Sequence, residues 1–257
     1  MSIHHPTPRL FMPGILAALL PITLAIACNA AGLVTTSPVT QDRDHATYNW
    51  QNRHAEILGR NQQIKPDVVI FGDSIIHYWG GEPKAPMAWG AQAWADCFAG
   101  IAVENLGFGW DRTENVLWRI EHGELDAIEP KVIIIKIGTN NIGINTPEDI
   151  ATGVEAVCHA AHEKQPTAKL LLLGILPRRD DDSGLLKTGP VNQLLATRFS
   201  DSNYVTFRDF GTQFRDRDGT PTAALFADGV HINAKGYAIL GTQIRAVVTT
   251  LLKPRKE

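Results

Sequence analysis

The chain has 257 residues, which is enough for one α/β domain and a short additional segment but not for two full domains. Hydrophobic residues make up 44% and charged residues 20%, as in globular proteins and unlike disordered or collagen-like chains. The formal net charge is -3, which lacks the basic excess of nucleic-acid-binding domains, so no nucleic-acid partner is expected.

The first 31 residues are predicted to be a signal peptide. Arg9 precedes an apolar stretch, Phe11–Ala27, whose last positions are small residues just before Cys28. A membrane-spanning helix is the alternative, but Pro13 and Pro21 interrupt the stretch, and it is shorter than the ~20 residues that a bilayer requires. We therefore expect an exported protein, either periplasmic, extracellular or anchored through a lipid.

The lipid anchor is suggested by Ala25–Cys28, which resembles a bacterial lipobox, where the cysteine is lipidated after cleavage. An alanine stands where the usual leucine would be, three places before the cysteine. Simple cleavage and membrane attachment through a lipidated Cys28 therefore both stay open.

The stretch 32–46 is rich in Thr, Ser and Asp and has no hydrophobic period, which predicts a linker. The domain is then expected to occupy residues 47–257. Beyond Cys28 the chain has only Cys97 and Cys158, too few for a disulfide scaffold.

Five apolar runs along the domain predict β-strands, and four helical patterns are interspersed with them. The strands are predicted at Asp67–Phe71, Val103–Leu106, Val132–Ile137, Lys169–Leu173 and Tyr204–Phe207. The helices are predicted at Glu114–Glu121, Glu148–Glu163, Pro190–Ser200 and Ala234–Leu252. The central runs are continuous, as in strands buried on both faces, and the alternation predicts a parallel, doubly wound α/β sheet. In such a sheet the ligand lies beyond the carboxyl ends of the strands.

The first predicted strand leads directly into Gly72-Asp73-Ser74, which places a serine on a strand-to-helix turn. Serine and aspartate are also ordinary residues at the start of a helix, so this motif alone does not identify a nucleophile. The two interpretations are compatible, because the N-terminus of a helix stabilises an oxyanion.

Three more polar clusters follow in the chain. Asn105–Asp111 contains two glycines that allow a ligand to approach the backbone closely, and Gly138–Asn141 carries amides that could donate to a developing negative charge. Each is also an ordinary turn sequence. Asp228–His231 stands just before the last helix, and this spacing can supply a general base together with the carboxylate that orients it. A capped helix start is the alternative there.

Taken in order, these clusters resemble the conserved blocks of the SGNH, or GDSL-type, hydrolases. More narrowly, the sequence looks like the catalytic subunits of intracellular platelet-activating-factor acetylhydrolase, and the resemblance covers roughly Arg53 to Leu252. The segments that carry it are Asn105–Gly109, Val116–Arg119, Gly123–Leu125, Gly138–Asn141 and Leu176–Arg178. The absence of a Gly-x-Ser-x-Gly motif counts against the larger α/β-hydrolase fold.

The resemblance implies a three-layer, flavodoxin-like α/β fold with a five-stranded parallel sheet. It makes Ser74 the nucleophile, His231 its general base and Asp228 the carboxylate that orients the histidine. The implied reaction is ester hydrolysis through an acyl-enzyme, and it requires no metal or organic cofactor.

The resemblance also implies an oxyanion hole with donors at Ser74, Gly109, Trp110 and Asn140. Asn140 would donate through its side-chain amide and the others through backbone N–H groups. Trp110 stands where the acetylhydrolases have a glycine. The replacement keeps the N–H, but the larger side chain must narrow or redirect the acyl pocket.

The expected activity is hydrolysis of short acyl esters, most simply acetyl esters, in the manner of the acetylhydrolases. A carbohydrate O-acetylesterase acting on sialic acid or xylan esters is the alternative, which export favours, and a non-catalytic carbohydrate-binding module is a third hypothesis. His159 and His162 could share a metal ion, but with no third ligand evident they are better interpreted as a solvated helix face. The sequence does not indicate an oligomeric state.

Overall fold

The computed structural model describes residues 1–3, 34–179 and 182–253. The predicted signal peptide beyond residue 3, with the candidate lipidation site Cys28, lies outside these ranges. Within the described ranges, no helix combines the length and the apolar character needed to cross a membrane.

A five-stranded parallel sheet forms the centre of the domain, with the strand order β2-β1-β3-β4-β5. The strands are β1 (Val68–Gly72), β2 (Val103–Gly107), β3 (Val132–Lys136), β4 (Lys169–Leu173) and β5 (Val205–Arg208). This order is that of flavodoxin-like sheets. All five predicted strands are present, and the prediction of a parallel, doubly wound sheet is confirmed.

Helices cover both faces of the sheet. They are α1 (Trp50–Asn61), α2 (Ser74–His77), α3 (Ala91–Cys97), α4 (Thr113–Glu121), α5 (Pro147–Lys164), α6 (Asp182–Arg198) and α7 (Ala234–Leu251). Val69 and Phe71 of β1 pack with α1, α4, α5 and α6, whereas Val68 and Ile70 pack with α2, α3 and α7. Because successive strand residues face opposite layers, both faces must be apolar, which explains the continuous runs in the sequence.

Helix α6 begins at Asp182, well before the predicted start at Pro190. Its first half contains Gly184 and Gly189, and glycine and proline both disfavour a helix. The later half buries Val191 and Leu195 in the core, and this packing overrides the weak local propensity.

The predicted linker packs on the domain from residue 34 onward, where the structure describes it. Thr35 Oγ1 donates to Asp149 O at 2.9 Å, and Thr35 O accepts from Thr113 Oγ1 at 2.8 Å. Val39 N donates to Glu114 O at 3.2 Å. The stretch has no hydrophobic period because hydrogen bonds to α4 and α5 hold it rather than an apolar face. It therefore differs from a free linker.

Candidate active site

The carboxyl ends of β1, β2 and β3 lie side by side, since Gly72 of β1 pairs with Gly107 on one side and with Lys136 on the other. The chain continues from these three ends into loops that carry Ser74, Trp110 and Asn140. This edge is the switch point of the sheet, where the connections on either side of β1 run to opposite faces. The predicted clusters are therefore brought together by the topology.

Ser74 is the first residue of α2, and Asp73 is its N-cap. Asp73 Oδ1 accepts the Ile75 N–H at 2.9 Å. A Cβ at Gly72 would lie 2.3 Å from the Ile76 side chain, so only glycine fits where the strand passes under the helix. The turn therefore forms a capped helix start, and this geometry is also compatible with a nucleophile at Ser74.

Ser74, His231 and Asp228 form a continuous chain of hydrogen bonds. Ser74 Oγ lies 2.8 Å from His231 Nε2, and His231 Nδ1 lies 2.8 Å from Asp228 Oδ2. The other carboxylate oxygen, Oδ1, accepts the N–H groups of Val230 and His231 at 2.7 Å each. Because Nδ1–H is donated to the carboxylate, Nε2 keeps the lone pair that can accept the serine proton.

Asp228 is ionised under ordinary conditions. Its partial burial disfavours the charge, but the hydrogen bonds from His231 and from the Val230 N–H outweigh that effect and lower the pKa of Asp228 below its usual value. Half of the Asp228 side chain is exposed, whereas Ser74 is only 7% exposed. The Ser74 side chain is therefore buried, whereas the Asp228 carboxylate lies at the rim of the site.

Two aromatic rings flank His231. The Trp89 ring meets the imidazole edge-on with ring centroids 5.3 Å apart, and the Tyr78 ring lies 6.3 Å away. Tyr78 OH donates to Asp44 Oδ2 at 2.8 Å. Burial and this hydrogen bond raise the pKa of Tyr78, so the phenol stays protonated and acts as a donor. His231 thus packs against two aromatic rings.

Three predicted oxyanion donors are available to a ligand. No described residue accepts a hydrogen bond from the N–H of Ser74 or of Trp110. Asn140 Nδ2 donates one of its two hydrogens to Asp111 O at 2.9 Å, which orients the amide and leaves the second hydrogen free. These groups can accept a developing negative charge.

The prediction that Gly109 is a further oxyanion donor is wrong. Its N–H donates to His77 Nδ1 at 3.0 Å in a buried contact. Burial, together with Arg53 and Arg119, lowers the pKa of His77 to about 2, so the imidazole stays neutral and Nδ1 remains an acceptor. The contact forms because α2 runs so close to the end of β2 that a Cβ at Gly107 would lie 2.4 Å from His77 N. No local sequence pattern reveals such an approach.

Lys136 is a residue of this site that sequence reasoning missed. It is 1% exposed, and its Nζ lies 3.1 Å from Asp73 Oδ2 and 2.7 Å from Thr139 Oγ1. Burial lowers the pKa of Lys136, although Asp73 opposes the shift. The contacts fix the turn of Ser74 relative to the loop of Asn140. A lone lysine in an otherwise apolar strand was the available signal.

The two histidines considered as metal ligands both lie beside Tyr204. The Tyr204 hydroxyl and His159 Nδ1 are 2.9 Å apart, and the His162 ring stacks on the Tyr204 ring at a centroid distance of 3.8 Å. Among the described residues, no group of three or more His, Cys, Asp or Glu side chains is placed to hold a metal ion.

The sequence profile of the GDSL-like lipase/acylhydrolase family matches residues 70–239. Platelet-activating factor acetylhydrolase IB subunit alpha2 of Rattus norvegicus is 32% identical over 209 residues, which cover 81% of this chain and 87% of that protein. A GDSL-like lipase from Bacteroides thetaiotaomicron superposes with a TM-score of 0.62 at 18% identity, over 79% of this chain and 98% of that one. A carbohydrate acetylesterase from Sinorhizobium meliloti gives 0.56 at 20% identity, over 73% and 100%. At these identities the two solved structures show a shared fold alone.

Proposed function

Because the chain belongs to the GDSL-like lipase/acylhydrolase family and is a carboxylic ester hydrolase, we propose that it cleaves short acyl esters, above all acetyl esters, through an acyl-enzyme. The observation that carries the proposal is the chain of 2.8 Å hydrogen bonds from Ser74 through His231 to Asp228, at the switch point of the sheet. The acetylhydrolase relative at 32% identity supports the acetyl group as the acyl part.

In the proposed reaction, His231 Nε2 takes the proton from Ser74 Oγ as this oxygen attacks the ester carbonyl. The charge that develops on the carbonyl oxygen is accepted by the N–H groups of Ser74 and Trp110 and by the free hydrogen of the Asn140 amide. Asp228 stabilises the imidazolium, which then gives its proton to the leaving alkoxide. Water then attacks the acyl-enzyme in the same way, with His231 as its base, and the acid is released.

The alcohol part of the substrate is the second point of the proposal, and a carbohydrate is the alternative to a lipid. The exposed aromatic side chain of Trp110, 50% accessible beside the oxyanion donors, favours a substrate that stacks on a ring, as sugars do. A panel of acetyl, butyryl and octanoyl aryl esters, assayed beside acetylated xylan and acetylated sialic acid, separates acyl length from alcohol class. Faster turnover of octanoyl than of acetyl esters would contradict the short-acyl proposal.

A fluorophosphonate probe tests whether the protein is an enzyme at all. Labelling at Ser74, located by peptide mass spectrometry, supports the serine esterase. A folded protein that takes up no label would instead support a non-catalytic carbohydrate-binding module.

Asn140→Ala is expected to lower kcat by about 10²- to 10³-fold, with little change in KM, because it removes a donor that acts mainly on the transition state. Asn141→Ala is the matched control. Asn141 lies in the same loop but is fully buried, and its amide donates to Glu114 Oε2 and Asn145 Oδ1, so its loss should lower the melting temperature more than kcat. Wild-type kcat in folded Asn140→Ala would remove this residue from the oxyanion hole.

Trp110→Gly is expected to change kcat on an acetyl ester by no more than a few-fold, because the backbone N–H is kept. Activity on butyryl and octanoyl esters should rise relative to acetyl as the pocket opens. Kinetics across the acyl series measure both effects. If the substitution is as damaging on the acetyl ester as Asn140→Ala in a folded protein, the indole itself takes part in catalysis and the assignment of position 110 as a backbone donor is wrong.

A further inference from the structure

We infer that Gln41–Tyr48, the positioning segment, belongs to the active site and aims the backbone N–H of Trp110 at the oxyanion. It does so by holding the turn Gly109–Asp111, called here the oxyanion turn. The inference rests on the proposed esterase function, since it assigns these residues a role in the same reaction. The segment contains most of the C-terminal half of the predicted linker.

The segment holds the oxyanion turn by hydrogen bonds to the carbonyl oxygen of Gly109. Tyr48 OH donates to Gly109 O at 2.9 Å, and Gln41 Nε2 donates to the same oxygen at 3.0 Å. Gln41 Nε2 also lies 3.1 Å from Asp111 Oδ1. Gln41 is only 8% exposed, so water competes little for these bonds. Both lone pairs of the carbonyl oxygen are therefore occupied by this segment.

Fixing this carbonyl also fixes the Trp110 N–H, because the two groups belong to one peptide unit. The unit is planar and trans, so its C=O and N–H point in opposite directions. With Gly109 O turned toward Gln41 and Tyr48, the N–H of Trp110 must point away from them. It finds no acceptor among the described residues and stays available to a ligand.

The peptide on the other side of Trp110 is held as well. Arg43 donates from one guanidinium nitrogen to Trp110 O at 3.0 Å and to Asn115 Oδ1. Asn115 is fully buried and in turn donates to Val39 O at 2.8 Å, so the arginine is anchored to the domain. The segment thus constrains the backbone on both sides of a single residue.

This restraint is needed because Trp110 has φ 62°, in the left-handed region. A side chain with a Cβ is disfavoured there, and such a conformation persists only where its surroundings impose it. A glycine would adopt this φ without the penalty. The dependence of kcat on the positioning segment should therefore be strong with tryptophan at position 110 and weak with glycine.

The test is a kinetic double-mutant cycle. Tyr48→Phe and Arg43→Met, singly and together, are measured on an aryl acetate in the wild-type and Trp110→Gly backgrounds. Together they should lower kcat by about 10-fold in the wild-type background, with KM within about 2-fold, and by less than about 3-fold in the Trp110→Gly background. Tyr48→Phe alone removes one hydroxyl group. It should show the same difference between the two backgrounds, with smaller losses of kcat.

Arg245→Met is the matched control for Arg43→Met. Arg245 also donates to backbone carbonyls, those of Asp96, Cys97 and Ala99, but it lies on α7 far along the chain from the oxyanion turn. Arg245→Met should lower the stability of the folded protein without lowering kcat. Arg43→Lys, which keeps a donor for Trp110 O, should recover part of the activity lost in Arg43→Met.

Equal losses of kcat in the two backgrounds would overturn the inference, and so would a rise in KM at unchanged kcat. If the double variant does not fold, Tyr48→Phe alone decides by the same comparison. The proposed function fails separately, through absence of ester turnover and of fluorophosphonate labelling in the wild-type protein. Active wild type with unaffected variants would refute the positioning role only.

Discussion

Replacing either Ser74 or His231 by alanine is expected to lower kcat for ester hydrolysis by up to about 10⁶-fold. Ser74→Ala removes the hydroxyl that lies 2.8 Å from the imidazole and that the proposed mechanism uses as the nucleophile. His231→Ala leaves that hydroxyl without a base, and a neutral serine is a weak nucleophile. Because the residues act as a unit, the double variant should be no slower than either single variant.

Steady-state kinetics with an aryl acetate measure these losses, and fluorophosphonate labelling reports the nucleophile independently of turnover. His159→Ala is the matched control, since His159 contacts Tyr204 and takes no part in the site. It should behave as wild type. Turnover near the wild-type level in folded Ser74→Ala would end the assignment of the nucleophile and the acyl-enzyme mechanism with it.

Asp228→Asn is expected to cost about 10⁴-fold in kcat. The change is nearly isosteric, but an asparagine can present its NH₂ group to His231 Nδ1, which then accepts a hydrogen bond and leaves the proton on Nε2. A protonated Nε2 cannot take the serine proton. The new amide oxygen can still accept the backbone N–H groups of Val230 and His231, so the loop should keep its shape.

The pH dependence of Asp228→Asn gives an independent check. The lowered pKa of Asp228 keeps its carboxylate ionised in wild type until the pH falls through that pKa. The charge that stabilises the imidazolium during the reaction is therefore present above this pKa and lost below it. Asparagine carries no such charge at any pH, so the ratio of wild-type to variant kcat should be largest above the lowered pKa of Asp228 and should narrow below it.

Rate profiles of both proteins, with circular dichroism at each pH as the folding control, measure this ratio. A variant kcat close to wild type across the whole profile would show that Asp228 does not act on the histidine. The residual activity of the variant should come from the oxyanion donors, which the substitution leaves intact.

The sheet could be predicted because its cause is local. Strand residues such as Val68 and Val69 are both fully buried, on opposite faces, so the chain must be apolar without interruption there. Strand ends then locate the polar clusters, and Gly72 and Asp73 have geometric roles that any strand-to-helix turn of this kind requires. The position of Ser74 at the edge of the sheet follows from the sequence on these grounds.

Contacts between residues far apart in the chain could not be predicted from such local patterns. Gln41 and Gly109 are 68 residues apart, and a glutamine that donates to a backbone oxygen looks, in the sequence, like any glutamine in a polar stretch. Lys136 is conspicuous as a lone lysine in an apolar strand, but nothing near it in the sequence identifies its partner Asp73, 63 residues away. For this reason a segment that borders the site was expected to be a linker.

The sequence by itself determined the fold class and the residues available for chemistry. This was possible because the burial pattern of a strand and the residues that a turn requires both depend on neighbouring positions in the chain. Only the tertiary structure decided which N–H groups can serve an oxyanion. Gly109 and Trp110 are adjacent, yet one N–H meets His77 and the other meets nothing among the described residues. The direction of each is set by the partners of its own peptide plane, and those partners come from parts of the chain that only folding brings together.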